Sequence, residues 1–250
     1  KLGERLGNAN LYRAVTSFRF GQRTGIELPG EDPGKVSPLR KWGEYSTESI
    51  SQGYEMMVTP LQLCRGLCAI ANGGRLVTPH IVKGTLDADG NLIPEQRQPI
   101  GDAPQVIDPA TAARMRRVMC DVPIRGTARG TRDMTWNIFS KTGTAHISGG
   151  KAGYNDQRYT SSYIAAAPYE NPRLAIAFII HEPDRSIAYY GGTVSAPGAT
   201  RVLTRSLAYL QVPSSPDLAL PPANVGQGLW SYNPKEYDRK VPKTPLAQAE

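Results

Sequence analysis

Apolar residues in this chain fall into helical spacings in some places and strand-sized runs in others. From about Asn8 to Ser17, Leu11, Tyr12 and Val15 share one side of a helix. Thr59-Pro60 predicts the start of a second helix, with threonine as the N-cap and proline in the first turn, where its missing N–H is not needed. Leu61, Leu63, Cys64, Leu67, Cys68 and Ile70 give that helix a broad apolar side, which predicts deep burial, and Gly73-Gly74 predicts its end. Asp108-Pro109 repeats the cap-and-proline start for a helix to about Val122, and Ala196 to Leu210 reads as a closing helix. Between these last two, Trp136 to Lys141, Tyr159 to Ala167 and Arg173 to Ile180 read as strands. Pro168 to Pro172 forms the turn between the second and third.

The rest is punctuated by turn formers. Phe20 to Glu31 is a short extended piece between glycine and proline turns, and Asp32 to Tyr45 reads as irregular and polar. Arg75 to Thr85 reads as extended, Asp87 to Asn91 as a hairpin-like turn, and Gly126 to Thr131 as a flexible loop. Beyond Val212 prolines recur without periodicity, so residues 213–250 read as an extended or disordered tail after a domain over 1–212. Helices beside a run of antiparallel strands predict an α+β fold, an antiparallel sheet flanked by helices.

Composition narrows this picture only modestly. A hydrophobic fraction of 40% suits a folded globular domain. The longest apolar runs, such as Leu174 to Ile180, are strand-sized, far short of the roughly 18 residues a membrane-spanning helix needs. No signal peptide opens the chain, and Lys1 to Gly7 reads as the middle of a helix, which predicts chain upstream. The net charge of +7 favours anionic partners, but the basic residues are scattered apart from Arg114-Met115-Arg116-Arg117. They lack the basic-aromatic pattern of a nucleic-acid module, so no nucleic-acid partner is expected. Cys64, Cys68 and Cys120 read as free thiols filling core space, and His80, His146 and His181 have no ligand spacing; no metal is expected.

The chemistry centres on Ser140-Lys141-Thr142-Gly143-Thr144-Ala145, which the pattern puts at the end of a strand. A strand edge there offers backbone N–H groups, and Lys141 adds positive charge between two hydroxyls. Gly143 leaves out the side chain that would block a peptide lying alongside. Together these suit a carboxylate-terminated peptide added as a strand, with an oxyanion donor.

The neighbouring segments make the motif specific. Phe20 to Glu31 carries Thr24-Gly25-Ile26-Glu27-Leu28-Pro29-Gly30-Glu31. Thr59-Pro60-Leu61-Gln62-Leu63 and Ala69-Ile70-Ala71-Asn72-Gly73-Gly74 follow, and Gly126-Thr127-Ala128 precedes Lys141-Thr142-Gly143-Thr144-Ala145. Ala167-Pro168, Glu182-Pro183 and Tyr190-Gly191-Gly192 continue the order. The series resembles class B penicillin-binding proteins, the peptidoglycan D,D-transpeptidases of division and elongation, over about residues 1–212.

That resemblance implies the fold shared by penicillin-binding enzymes and serine β-lactamases, with its N-terminal part absent here. It implies a serine acyl-enzyme, stem peptides as substrates, β-lactams as inhibitors, other cell-wall or division proteins as partners, and no cofactor. The whole protein is expected at the extracytoplasmic, periplasmic side of the inner membrane, held by an N-terminal anchor outside this chain. Lys141 would favour the donor's terminal carboxylate and tune proton transfer. Thr142 and Thr144 hydroxyls would bond that carboxylate, the Thr144 N–H would serve the oxyanion, and Gly143 and Ala145 would line the strand edge. Tyr189 and Tyr190 resemble an aromatic pair of the acyl pocket. His146 is expected to be solvent-exposed with at most a weak contact, and Lys151 to lie near the substrate edge.

The family also needs a Ser-x-x-Lys motif and a Ser-x-Asn motif ahead of Lys-Thr-Gly. Ser148-Gly149-Gly150-Lys151 comes after it in a glycine-rich loop, and Ser231-Tyr232-Asn233 falls in the tail; both are chance matches. The nucleophile is therefore expected upstream, and these 250 residues alone are expected to be inactive. The alternative is a penicillin-recognising sensor or a catalytically inactive scaffold of the same fold.

Overall fold

The computed structural model describes residues 1–148 and 154–216. Lys151 and everything from residue 217, including Ser231-Tyr232-Asn233, lie outside them. Along the chain come α1 (Leu2–Ser17), β1 (Lys35–Val36), α2 (Ser46–Ser51), β2 (Met56–Met57) and α3 (Pro60–Ala71). The hairpin β3 (Gly84–Leu86) and β4 (Leu92–Pro94) follows, then α4 (Pro109–Ile124). Strands β5 (Phe139–Ser148), β6 (Tyr154–Ala167) and β7 (Leu174–His181) precede α5 (Gly191–Tyr209).

The last three strands form an antiparallel sheet in the order β5-β6-β7. Alternation along β6 sends Tyr163, Ala165 and Ala167 to one face, where they pack with Ala196, Ala199, Leu203 and Leu207 of α5. Phe139 and Ala166 face the other way, onto Leu67 of α3 and Met119 of α4. Tyr163, Phe139 and Leu207 are fully buried, and burying the Phe139 and Leu207 side chains contributes about 1.5–3 kcal/mol each. Among the described residues no helix is long and apolar enough to cross a membrane.

Several expected elements differ in the structure. The helical readings over Lys1 to Gly7 and Asn8 to Ser17 join as α1, which extends back to Leu2 and is kinked between the two at Gly7 (φ 70°, ψ 165°). Gly3 permits this extension, because a Cβ there would meet the Thr47 carbonyl at 2.7 Å. Within the stretch expected to be irregular, Lys35–Val36 pairs with Met56–Met57, and α2 follows unpredicted. Of Arg75 to Thr85, only the Gly84–Thr85 end belongs to a strand, with Arg75 in an isolated bridge to Gln105. Trp136 lies ahead of β5; its indole N–H donates to the carbonyls of Val212 and Pro213, clasping the chain after α5.

Helix α3 has the predicted cap, with Thr59 and Gln62 exchanging a reciprocal pair of bonds. Its burial is not the predicted one. Of the expected apolar side only Leu67 is buried, while Leu61, Leu63, Cys64, Cys68 and Ile70 are half-buried and Gln62 and Arg65 are buried. The reason is backbone demand: the helix is wrapped by loops whose carbonyls need donors. Gln62 Nε2 donates to the carbonyls of Gln22 (2.7 Å) and Pro33 (2.8 Å), and Arg65 Nε to that of Val77 (2.6 Å). The Phe20–Glu31 loop is closed the same way. Glu31 accepts from the Thr24 N–H at 2.7 Å and hydroxyl at 2.6 Å, which holds its carboxyl below the ordinary range.

Candidate active site

Lys141 to Ala145 lie inside β5, not at its end, since the strand continues to Ser148. β5 is an outer strand among the described residues, so the motif presents an open backbone edge. Alternation then divides it. Lys141, Gly143 and Ala145 stand on the face of Phe139, and Thr142, Thr144 and His146 on the face of α5, opposite Tyr163, Ser161 and Tyr159 of β6.

The two threonines are tied from different directions. The Thr142 hydroxyl meets the Thr127 hydroxyl at 2.6 Å. The Thr144 hydroxyl accepts from the backbone N–H of Gly191, at 3.0 Å, where α5 begins. That helix was expected from Ala196; it starts at Gly191 because the two glycines permit very close approach. A Cβ on Gly191 would run into the carbonyls of Gly143 and Ser162, and one on Gly192 into the carbonyl of Thr127. Gly143 has an internal neighbour as well as the open edge. A side chain there would run into Ser162 Oγ across the strand pair, so glycine serves the sheet directly.

Lys141 is exposed, and its ammonium donates to the Thr142 carbonyl at 2.5 Å. Partial desolvation draws its pKa down from the usual lysine value. Tyr189 and Tyr190 sit beside this strand in an aromatic ladder. Ring centroids step from His146 to Tyr159 (4.5 Å), to Tyr189 (4.4 Å) and to Tyr190 (4.3 Å). The Arg185 guanidinium lies 5.8 Å from the Tyr159 ring centre and 5.7 Å from that of Tyr189. Tyr189 donates its phenol proton to Tyr190 at 2.9 Å, which raises the Tyr189 pKa. Buried Ser161 donates to the Tyr189 carbonyl, and Ser195 donates to Ser161's carbonyl at 3.0 Å, so the turn carrying both tyrosines is pinned to the sheet.

Two expectations about histidine and cysteine change. His146 is half-buried with its ring tilted 45° against that of Tyr159, not solvent-exposed, because the strand register pairs the two. The cysteines are free but half-buried. The contact between the Cys64 and Cys68 thiols draws the Cys64 pKa down and, with burial, pushes that of Cys68 up. Sequence reasoning did not single out Thr127, Tyr159, Ser161 or Arg185 as site neighbours. Tyr159 and Ser161 were detectable as the same-face partners of His146 and Thr144 once the hairpin register is set; Thr127 and Arg185 arrive from loops and leave no periodic signal.

The unit is α+β, with Lys-Thr-Gly on an open strand edge and the N-terminus of α5 against Thr144. The penicillin binding protein transpeptidase domain family matches residues 1–204, and the chain belongs to that family. Stage V sporulation protein D of Bacillus subtilis is 34% identical over 213 residues, covering 85% of this chain and 32% of that protein. A probable peptidoglycan D,D-transpeptidase, PbpC, of Pseudomonas aeruginosa is 30% identical, covering 85% of this chain and 35% of the relative. The chain spans about a third of the length of these curated relatives. Among solved structures, penicillin-binding protein 3 of Mycobacterium tuberculosis complexed with ampicillin superimposes with a TM-score of 0.79 at 31% identity, over 88% of this chain and 50% of that one. The transpeptidase domain of penicillin-binding protein 3 from Burkholderia pseudomallei gives 0.73 at 28% identity, over 86% and 62%.

Proposed function

We propose that this chain forms one wall of the acyl pocket of a peptidoglycan D,D-transpeptidase that β-lactams inhibit. The observation that carries the reading is the open β5 edge bearing Lys141, Thr142 and Thr144, flanked by Tyr189 and Tyr190. A donor stem peptide lies along that edge as an added strand. Its terminal carboxylate meets the Thr142 and Thr144 hydroxyls and the Lys141 charge, while the Thr144 N–H donates to the developing oxyanion. The Gly143–Ala145 backbone guides the peptide, and the two tyrosines pack on its side chains.

The reacting serine, with its Ser-x-x-Lys and Ser-x-Asn partners, comes from chain outside these residues. Its hydroxyl attacks the carbonyl of the penultimate D-Ala, the amide C–N bond breaks, and the terminal D-Ala leaves with the proton. An amine of a neighbouring stem then attacks the ester and restores the serine hydroxyl. A β-lactam opens in the first step and stalls in the second. The whole protein works at the cell envelope, outside the cytoplasm, held by an N-terminal anchor and alongside other wall-synthesis or division proteins.

The test is labelling with a fluorescent penicillin. The complete gene product is expected to form a denaturation-resistant adduct and to cross-link stem peptides. The isolated 250 residues are expected to form none and to lack a sharp cooperative unfolding transition. Saturable labelling of the isolated chain overturns the upstream nucleophile. A complete protein that is labelled but forms no cross-link supports a sensor, and one that is never labelled supports an inactive scaffold.

A further inference from the structure

The two threonines that face a ligand carboxylate in this reading, Thr142 and Thr144, each have one proton to give. A hydroxyl has a single O–H and two acceptor lone pairs, whereas a carboxylate only accepts. Thr144 serves a carboxylate only if its proton is not spent inside the protein. The structure meets that condition, because its oxygen is the acceptor of the Gly191 N–H at 3.0 Å. Among the described residues Thr142 has no backbone donor in that role; its hydroxyl bond is to Thr127, at the short 2.6 Å, where either oxygen can hold the proton. Only Thr127 donating into Thr142 leaves the Thr142 proton for a ligand.

We propose that Thr127 is a positioning residue for carboxylate recognition, doing for Thr142 what the Gly191 N–H does for Thr144. The inference rests on the transpeptidase reading above. Accepting one hydrogen bond also polarises the Thr142 hydroxyl, which strengthens the bond it gives.

The loop carrying Thr127 is built to hold this geometry. The Gly126 N–H donates to the Asp121 carbonyl at 2.8 Å, and the Ala128 N–H to that of Val122 at 3.2 Å. Arg125 pairs with the Asp121 carboxylate at 3.0 Å. Ala128 is 1% exposed, and the buried Thr131 hydroxyl donates to its carbonyl at 2.8 Å. From the other side Gly192 is pressed against the Thr127 carbonyl so closely that a Cβ would run into it. Thr127's backbone is thus held from α4 and from α5 while its side chain reaches the exposed end of Thr142.

The experiment measures acylation rates of the complete gene product with benzylpenicillin and with its methyl ester, which lacks the carboxylate charge. Thr127→Val, which keeps the shape and removes the proton, is expected to slow acylation by benzylpenicillin roughly 10-fold, the order of one hydrogen bond to a charged group. With the ester the same variant is expected to match the wild type within about twofold, and Thr127→Ser to restore the benzylpenicillin rate. In a Thr142→Val background, Thr127→Val is expected to have no further effect. Equal losses with acid and ester, no loss at all, or no recovery with serine each overturn the proposal while leaving the transpeptidase reading intact. A wild type that neither compound acylates overturns both.

Discussion

The two faces of the three-stranded sheet are covered in different ways. Under α5, Tyr163, Ala165, Leu203 and Leu207 are at most 2% exposed, and the face is a closed core. The opposite face is closed only at one end, where Phe139 and Ala166 meet Leu67 and Met119. Further along it Lys141 is exposed and Gly143, Ser162 and Ile179 are half-buried. One strand, β5, serves both. Its even positions deliver Thr142 and Thr144 to the side where α5 and the Thr127 loop orient their hydroxyls, and its odd positions deliver Lys141 to the side with room for more chain. Alternation therefore puts the hydroxyls that are held by neighbouring groups on one face and the exposed lysine on the other.

The comparison can be broken most directly by truncating each face in the complete gene product. Leu203→Ala is expected to destabilise by about 3 kcal/mol in urea unfolding, as large-to-small changes in closed cores do. Ile179→Ala is expected to cost as much only if chain outside these residues covers that half-buried side chain, and otherwise under about 1 kcal/mol. Equal losses from both would mean the two faces are equally packed in the complete protein. Lys141→Ala is expected to leave the unfolding midpoint within about 0.5 kcal/mol of wild type and to slow penicillin acylation about 100-fold. A large drop in stability would instead make Lys141 a structural residue.

Gly192→Ala sharpens the contrast from the closed side. The added methyl runs into the Thr127 carbonyl, so a loss of about 2 kcal/mol is expected, with the acylation rate falling alongside it. A variant as stable and active as wild type would show that the α5 start is not pressed on that loop. The smallest effect is expected at Glu31, away from the sheet. Its folded pKa lies below the ordinary value, so its stabilisation is present above the usual carboxylate range and fades as the pH falls through the folded pKa. The difference in melting temperature between wild type and Glu31→Gln should therefore shrink on acidification. A difference that stays constant would remove Thr24 and Gly25 as the cause.

Much of the scaffold is legible locally. Thr59-Pro60 and Asp108-Pro109 start helices in the structure as their capping chemistry predicts, and the Pro168–Pro172 turn joins β6 to β7. What misleads is local reasoning applied to helices whose ends or faces are set by distant backbone. The closing helix reads from Ala196, yet it starts at Gly191-Gly192, where a side chain would collide with β5, β6 and the Thr127 loop, so close approach overrides propensity. The apolar side expected to bury α3 is mostly half-buried, whereas Gln62 and Arg65 are buried and donate to remote backbone carbonyls.

The Lys141–Ala145 motif, its ordered companions and the family they resemble could be read from residue identity alone, because strand edge, hydroxyls and lysine are chemistry carried by the chain itself. Tertiary structure decided which hydroxyl answers to which donor. Thr142 meets Thr127, Thr144 meets the Gly191 N–H, and His146 and Tyr159 join Tyr189 and Tyr190 in one ladder. Those pairings depend on strand register and on backbone packed within contact distance across long sequence separations, and neither leaves a period in the sequence.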